Sequence, residues 1–168
     1  NRENVAEIAG HNVHYTEYEA AKEQLTEVYK LEYGTSDINE ELTLQIRNQV
    51  WQNLLMDYTL STQTEKIGMD VTDNELSELC IGSNPHQIIT QRRAFYDETG
   101  NFNQTALVNF LASLEQEPES AEQAEVINQY KNYWNFWENA VRLQYLQEKY
   151  VNLLSKMVTA NNLDAKYA

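Results

Sequence analysis

Residues 126–158 read VINQYKNYWNFWENAVRLQYLQEKYVNLLSKMV. The stretch contains neither Gly nor Pro, and at that length it predicts one continuous helix. Its apolar residues do not keep to one side. Ile127, Tyr130, Trp134, Trp137 and Val141 recur at steps of four and three, and so do Leu143, Leu146, Tyr150, Leu153 and Met157. At about 100° per residue the second stripe lies nearly opposite the first. A helix that changes its buried face along its length is wedged between two bodies. The front stripe is expected to face a smaller lobe at residues 72–115, and the back stripe to lock into a helical core around Trp51.

The chain around this helix has 168 residues, enough for one ordinary domain with a single core. Its net charge of −14 argues against nucleic acid as a partner and against anionic membrane surfaces. No apolar run approaches the roughly 20 residues needed to cross a bilayer. The opening NRENV carries no signal peptide and reads as an internal boundary, so an anchoring or targeting segment is expected to precede it. Cys80 is the only cysteine, which excludes an intrachain disulfide and any multi-Cys metal site. Its expected role is a small core residue.

The breakers divide the rest. Gly10, Gly34, Gly68, Gly82 and Gly100 fall where turns or helix ends are expected, and Pro85 and Pro118 fall near helix starts. Residues 5–15 alternate around the AGHN turn and predict a β-hairpin. Residues 16–67 predict two core helices. The first is opened by a T-x-x-E capping box at Thr16 and Glu19, the second by Ser36 or Asp37 as cap. In the second, Leu42, Ile46, Val50, Trp51, Leu54 and Leu55 begin an apolar surface that runs nearly all round, the mark of a central helix. Within residues 72–115, Thr72 and Glu75 form another capping box, Pro85 begins a helix, Phe95–Asn103 is a loop, and Asn103 caps a further helix. The long helix is expected over residues 119–158. The polar tail, residues 159–168, predicts a mobile lead into a missing domain. The fold class is therefore mainly α, a helical bundle with a short N-terminal hairpin and one long C-terminal helix.

Chemistry is sparse. His11 and His14 are three apart on a strand, so they point to opposite faces and do not share a metal. The loop Asp97–Asn103 fails the calcium template, because its Gly is fourth rather than sixth and Val108 stands where a bidentate Glu is needed. The acidic clusters lie near helix starts, where capping and the helix dipole account for them. No P-loop, dinucleotide fingerprint, nucleophile elbow or zinc motif is present. No catalytic residue, metal or cofactor is expected of this segment.

The unusual composition is aromatic: Tyr130, Tyr133, Trp134, Phe136 and Trp137 crowd the front half of the long helix. Core packing is the ordinary reading of any one of them. Tyr133 and Phe136 lie at the edge of the stripe or off it, so some aromatic area is expected to stay accessible. Exposed aromatic patches serve as binding surfaces for apolar peptide.

Three segments also form a family pattern. Val5, Ile8, Gly10, Val13, Glu17 and Tyr18 fit the V-x-x-I-x-G-x-x-I-x-x-x-E-F opening of PpiD- and SurA-type periplasmic foldases. Trp51, Leu54, Leu55 and Leu60, followed by Ile67, Gly68, Val71, Thr72, Asp73, Glu75 and Leu76, resemble the family's W-x-x-L-I and G-(I/V)-x-V-(S/T)-D-x-E-(L/I) segments. Phe95 to Asn103 and then Phe110-Leu111 resemble its F-x-D-x-x-G-x-F-(D/N) segment. Ala9 stands where Asn is usual, Thr64 where Ala is usual, and Tyr18 replaces Phe.

The resemblance, closer to the PpiD type, implies a SurA N-terminal-domain-like chaperone module at the periplasmic side of an inner membrane. It implies ATP-independent binding of unfolded or apolar segments of exported proteins. The parent would have an N-terminal membrane anchor and a parvulin peptidyl-prolyl isomerase domain, the latter absent here. The five aromatics above are the expected client-binding residues. The alternative is a helical interaction or dimerisation domain without client binding. A homodimer swapped through the N-terminal ribbon is also compatible with the pattern.

Overall fold

The computed structural model describes residues 3–167. Strands β1 (Asn4–Ile8) and β2 (His11–His14) pair antiparallel, with Ile8 opposite His11 and Ala6 opposite Val13. The turn between them is Ala9-Gly10, both with positive φ (51° and 80°), as a two-residue hairpin of the right twist requires. Two strands alone are marginal. This ribbon is held because Ile8 and Val13 are buried in the core between the first two helices.

Helix α1 (Tyr15–Tyr33) leaves β2 without a break, and His14 is its N-cap, with no side-chain cap. The capping box expected at Thr16 and Glu19 therefore does not form: Thr16 already lies inside the helix. Gly34, at φ 61°, ends α1 in the left-handed conformation. Helix α2 (Glu40–Lys66) is capped by Asn39, whose side chain accepts from the Leu42 N–H, and not by Ser36 or Asp37. Its buried face is Ile46, Val50, Leu54, Leu60 and Thr64. Leu44 and Leu55 are more than half exposed, so α2 is not the all-round buried helix its composition suggests.

Helix α3 (Asp73–Ile81) does open with the full capping box of Thr72 and Glu75. At Gly82, which follows it, a Cβ would overlap the carbonyl oxygen of Glu78. Helix α4 (Gln87–Thr90) is a single turn capped by the His86 ring, and a 3-10 turn follows at Arg93–Phe95. A bridge between Tyr96 and Phe102 closes the next loop. Within it the Asp97 carboxylate accepts the backbone N–H groups of Thr99 and Asn101. Asn103 caps helix α5 (Gln104–Leu114) through the N–H groups of Thr105 and Ala106.

Helix α6 (Ala121–Tyr167) is the organising element, packing on α1, α2, α3, α4 and α5. Its two stripes do bury on different bodies. At the front, Trp134 meets Phe95 edge-on (6.1 Å), and Tyr130 meets Phe110 (5.6 Å). Phe95, fully buried, also packs on Phe110 and centres this cluster. At the back, Leu146 joins Leu60 and Val71. The partner of Leu146 is the end of α2 and the link after it, whereas Leu143, at the start of the same stripe, shares a cleft with Val50 and Leu54 on either side of Trp51, whose ring stacks on Tyr18 (4.9 Å). Tyr150 packs beside this second cluster, whereas Met157 is exposed. The tail expected to be mobile from residue 159 continues the helix to Tyr167. Nothing in TANNLDAKYA breaks a helix already running, and its Asn residues only lower the propensity.

Candidate functional site: a cleft between three helices

Helices α1 and α2 run antiparallel, joined by the short link after Gly34, and α6 crosses both. The three do not close completely. Between them lies an open cleft of about 820 Å³, within the usual range for ligand sites. Its floor is apolar: Ala21, Leu25, Val50, Leu54, Ala140 and Leu143. Leu25, Val50 and Leu54 belong to the main core, so the floor is rigid.

The five aromatics of α6 part company here. Phe136 and Trp137 line the cleft. Both are half-buried and meet edge-to-face at 5.0 Å. Trp134 is core, 8% exposed. Tyr130 and Tyr133 face a separate depression of about 280 Å³, bounded by Leu31, Ala94 and Phe110. Tyr133 is buried all the same, with its hydroxyl donating to Glu32. Burial, then the Glu32 bond, pushes its phenol well above the ordinary range, so it stays protonated.

Trp137 is held from behind. The Arg92 guanidinium lies 3.7 Å from its ring centroid and 3.3 Å from the Glu32 carboxylate, while Arg92 Nε donates to the Ile88 carbonyl (2.8 Å). Arg92 therefore ties α1, the 3-10 region and α6 into one wall. The Trp137 indole N–H is buried and completes no hydrogen bond.

The walls of the cleft are polar but nearly uncharged. Gln24 stands on α1, Gln49 and Asn53 on α2, and Asn132, Asn139 and Gln144 on α6. The lining contains no Lys or Arg among the described residues. Its carboxylates are Glu17 and Asp57, side by side at one end, where the Tyr58 hydroxyl donates to Glu17 at 2.6 Å. That bond, with burial and the nearby carboxylates behind it, pushes the Tyr58 phenol up to about 12. The carboxamides were not singled out from the sequence. A Gln or Asn on a helix reads as solvated unless the facing helices are known.

Elsewhere the candidate groups have structural jobs. His11 stacks on Tyr58 (5.5 Å), and the His86 ring accepts the Ile88 N–H. Cys80 is 1% exposed, and burial, then the Glu138 charge, pushes its thiol up to about 12, so it stays unreactive. Among the described residues no cluster of His, Cys, Asp or Glu is placed to hold a metal, and no helix is long and apolar enough to cross a membrane.

The hairpin feeding straight into α1, the α1–α2 pair and the smaller helical lobe agree with the comparison of families. The family model for the SurA-like N-terminal domain matches residues 1–111. The chain belongs to that family. Its members are chaperone-type modules of the periplasm, and the domain itself is not catalytic. The match covers α1 and α2 but not α6, so two walls of the cleft are family elements and the third lies beyond the matched residues. No curated protein and no solved structure matches the chain.

Proposed function

We propose that the cleft between α1, α2 and α6 holds unfolded, apolar segments of exported proteins, without ATP and without catalysis. The observation carrying this reading is the pairing of a rigid apolar floor with two partly exposed aromatics, Phe136 and Trp137. Aromatic area at the edge of an apolar pocket binds peptide side chains at low entropic cost. Tyr130, Tyr133 and Trp134 then support the site through packing rather than contact. The acidic exterior keeps a loaded complex soluble.

In this reading the chain is part of a PpiD-type foldase. A membrane anchor precedes it, a parvulin domain follows it, and it works at the periplasmic face of an inner membrane. The test is titration with an unfolded outer-membrane protein. The Trp137 emission shifts, and client aggregation is suppressed. No spectral change together with unaltered aggregation refutes the reading. In a protease-coupled prolyl isomerisation assay the fragment gives no rate above background.

One observation favours a second reading, a helical interaction or dimerisation domain. Beyond Tyr150 helix α6 exposes Val151, Leu154, Met157 and Val158, more apolar area than a solvated helix carries. Light scattering across a concentration series separates the two. A concentration-dependent dimer with no client binding favours the second.

A further inference from the structure

An unfolded chain brings more than side chains into an apolar cleft. Each of its peptide N–H and C=O groups loses water on entry, and an unsatisfied one costs free energy comparable to what its apolar neighbours contribute. Apolar lining alone therefore does not hold a polypeptide. The walls here answer that need. A carboxamide carries the same donor and acceptor pair as a peptide group, and it serves either polarity of the client backbone. Six carboxamides face the cleft, at least one from each of its three helices.

They are only partly used within the protein. Gln49 Nε2 donates to Asn53 Oδ1 (2.8 Å), leaving the Gln49 oxygen and the Asn53 amide hydrogens free to pair outward. Asn132 Nδ2 donates to the Gln24 backbone carbonyl (3.2 Å), leaving the Asn132 oxygen, and Asn139 Oδ1 accepts from Arg142 Nε (3.3 Å) and Nη2 (3.1 Å), leaving only the Asn139 amide hydrogens. The side chains of Gln24 and Gln144 make no hydrogen bond among the described residues. From Asn132 to Gln144 the helix rises about 18 Å, the length of about five to six residues of extended chain.

We infer that these carboxamides read the backbone of an extended client segment of about six residues, so that the cleft selects unfolded polypeptide as such rather than a side-chain sequence. The inference rests on the cleft being the client site, and it adds a specific chemistry to it. Wall groups without charge leave the client's own charge unread. Only Glu17 and Asp57 bias one end, against acidic residues and toward basic ones.

The test compares an uncharged apolar-aromatic decapeptide with the same peptide N-methylated at alternate backbone amides, by fluorescence anisotropy. Both are titrated into the wild-type chain and into a Gln24→Met/Gln144→Met variant, which keeps side-chain length and adds apolar area while removing the amide donors and acceptors. For the wild type, N-methylation weakens binding about tenfold, the loss of one to two hydrogen bonds. In the variant the unmodified peptide binds about tenfold weaker, and the penalty of N-methylation shrinks to less than about threefold. Equal binding of both peptides to the wild type, or an undiminished penalty in the variant, overturns the inference and leaves the cleft as an apolar site. Tighter binding of the unmodified peptide by the variant overturns it too. If neither peptide binds the wild type, the inference falls together with the cleft reading beneath it. Circular dichroism of the variant confirms that its helices are intact.

Discussion

The Arg92 guanidinium lies 3.7 Å from the ring centroid of Trp137, stacked against the residue that forms the cleft's aromatic wall. The same group reaches Glu32 at 3.3 Å, with both side chains mostly buried. Removing it takes away a cation–π contact and leaves the Glu32 carboxylate without its cation, next to the Tyr133 hydroxyl. Arg92→Leu is expected to destabilise the chain by about 2 kcal/mol, read from denaturant unfolding, and to shift the emission of Trp137. Arg92→Lys restores little of either, because an ammonium neither stacks as a plane nor holds the Ile88 carbonyl and Glu32 at once.

The hairpin turn offers a gain. Ala9 sits at φ 51°, where its Cβ is strained and where Asn offsets the same strain by hydrogen-bonding its side chain to the local backbone. Family resemblance also places Asn at this position. Ala9→Asn is expected to stabilise the fold by roughly 1 kcal/mol, seen as a higher Tm with an unchanged far-ultraviolet spectrum. A lower Tm contradicts the turn assignment.

The second apolar cluster is pinned by Lys149. Its Nζ lies 3.0 Å from Glu75 Oε2 and donates to the Asp70 carbonyl at 2.9 Å. The lysine first, then the Thr72 backbone N–H, lowers the Glu75 carboxyl to about 2 from an ordinary 4.5. A carboxyl lowered by folding contributes stability above its unfolded value. That contribution is lost as pH falls from about 4.5 through about 2. Lys149→Met is therefore expected to flatten the acid limb of the stability curve between those values. Urea titrations at several pH values give the comparison, and an acid limb as steep as wild type refutes the pin.

Burial predicts an asymmetry between two changes to apolar residues. Phe95 is fully buried between Phe110 and Trp134, and Phe95→Ala is expected to cost about 3–5 kcal/mol. Truncation after Leu153 removes a segment that is exposed from Leu154 to Tyr167, so thermal stability is expected to change little. A large loss on truncation shows that the tail of α6 is covered in solution, as the dimer reading requires.

Much of the fold was legible because it is local. The capping box at Thr72 formed as written, and Asn103 capped α5 as expected. The identical pattern at Thr16 failed for a nonlocal reason: β2 pairs with β1 up to His14, so the helix starts from the strand's last residue and the box falls inside it. The two faces of α6 were readable from a 100° step, but their partners were not. Which body meets Leu146 depends on where α2 ends, and Leu60 lies far away in sequence.

Of the candidate cleft, only the aromatic edge was legible. Phe136 stood out because it lies off the buried stripe, and it does line the cleft. Tyr133 stood out for a similar reason and is buried against α1, where the Glu32 carboxylate accepts its hydroxyl hydrogen bond. The carboxamides gave no signal. Gln24, Asn53 and Gln144 become neighbours only when three helices converge, and each alone is an ordinary surface residue.

Site-specific photocrosslinking addresses directly whether a client lies in the cleft. A photoreactive residue at Asn53 faces the cleft, one at Asn109 sits on the exposed side of α5, and one at Val158 marks the projecting part of α6. With an unfolded outer-membrane protein present, a client adduct is expected from position 53 and none above background from 109 or 158. An adduct from 158 without one from 53 places the client on the end of the long helix and contradicts binding in the cleft.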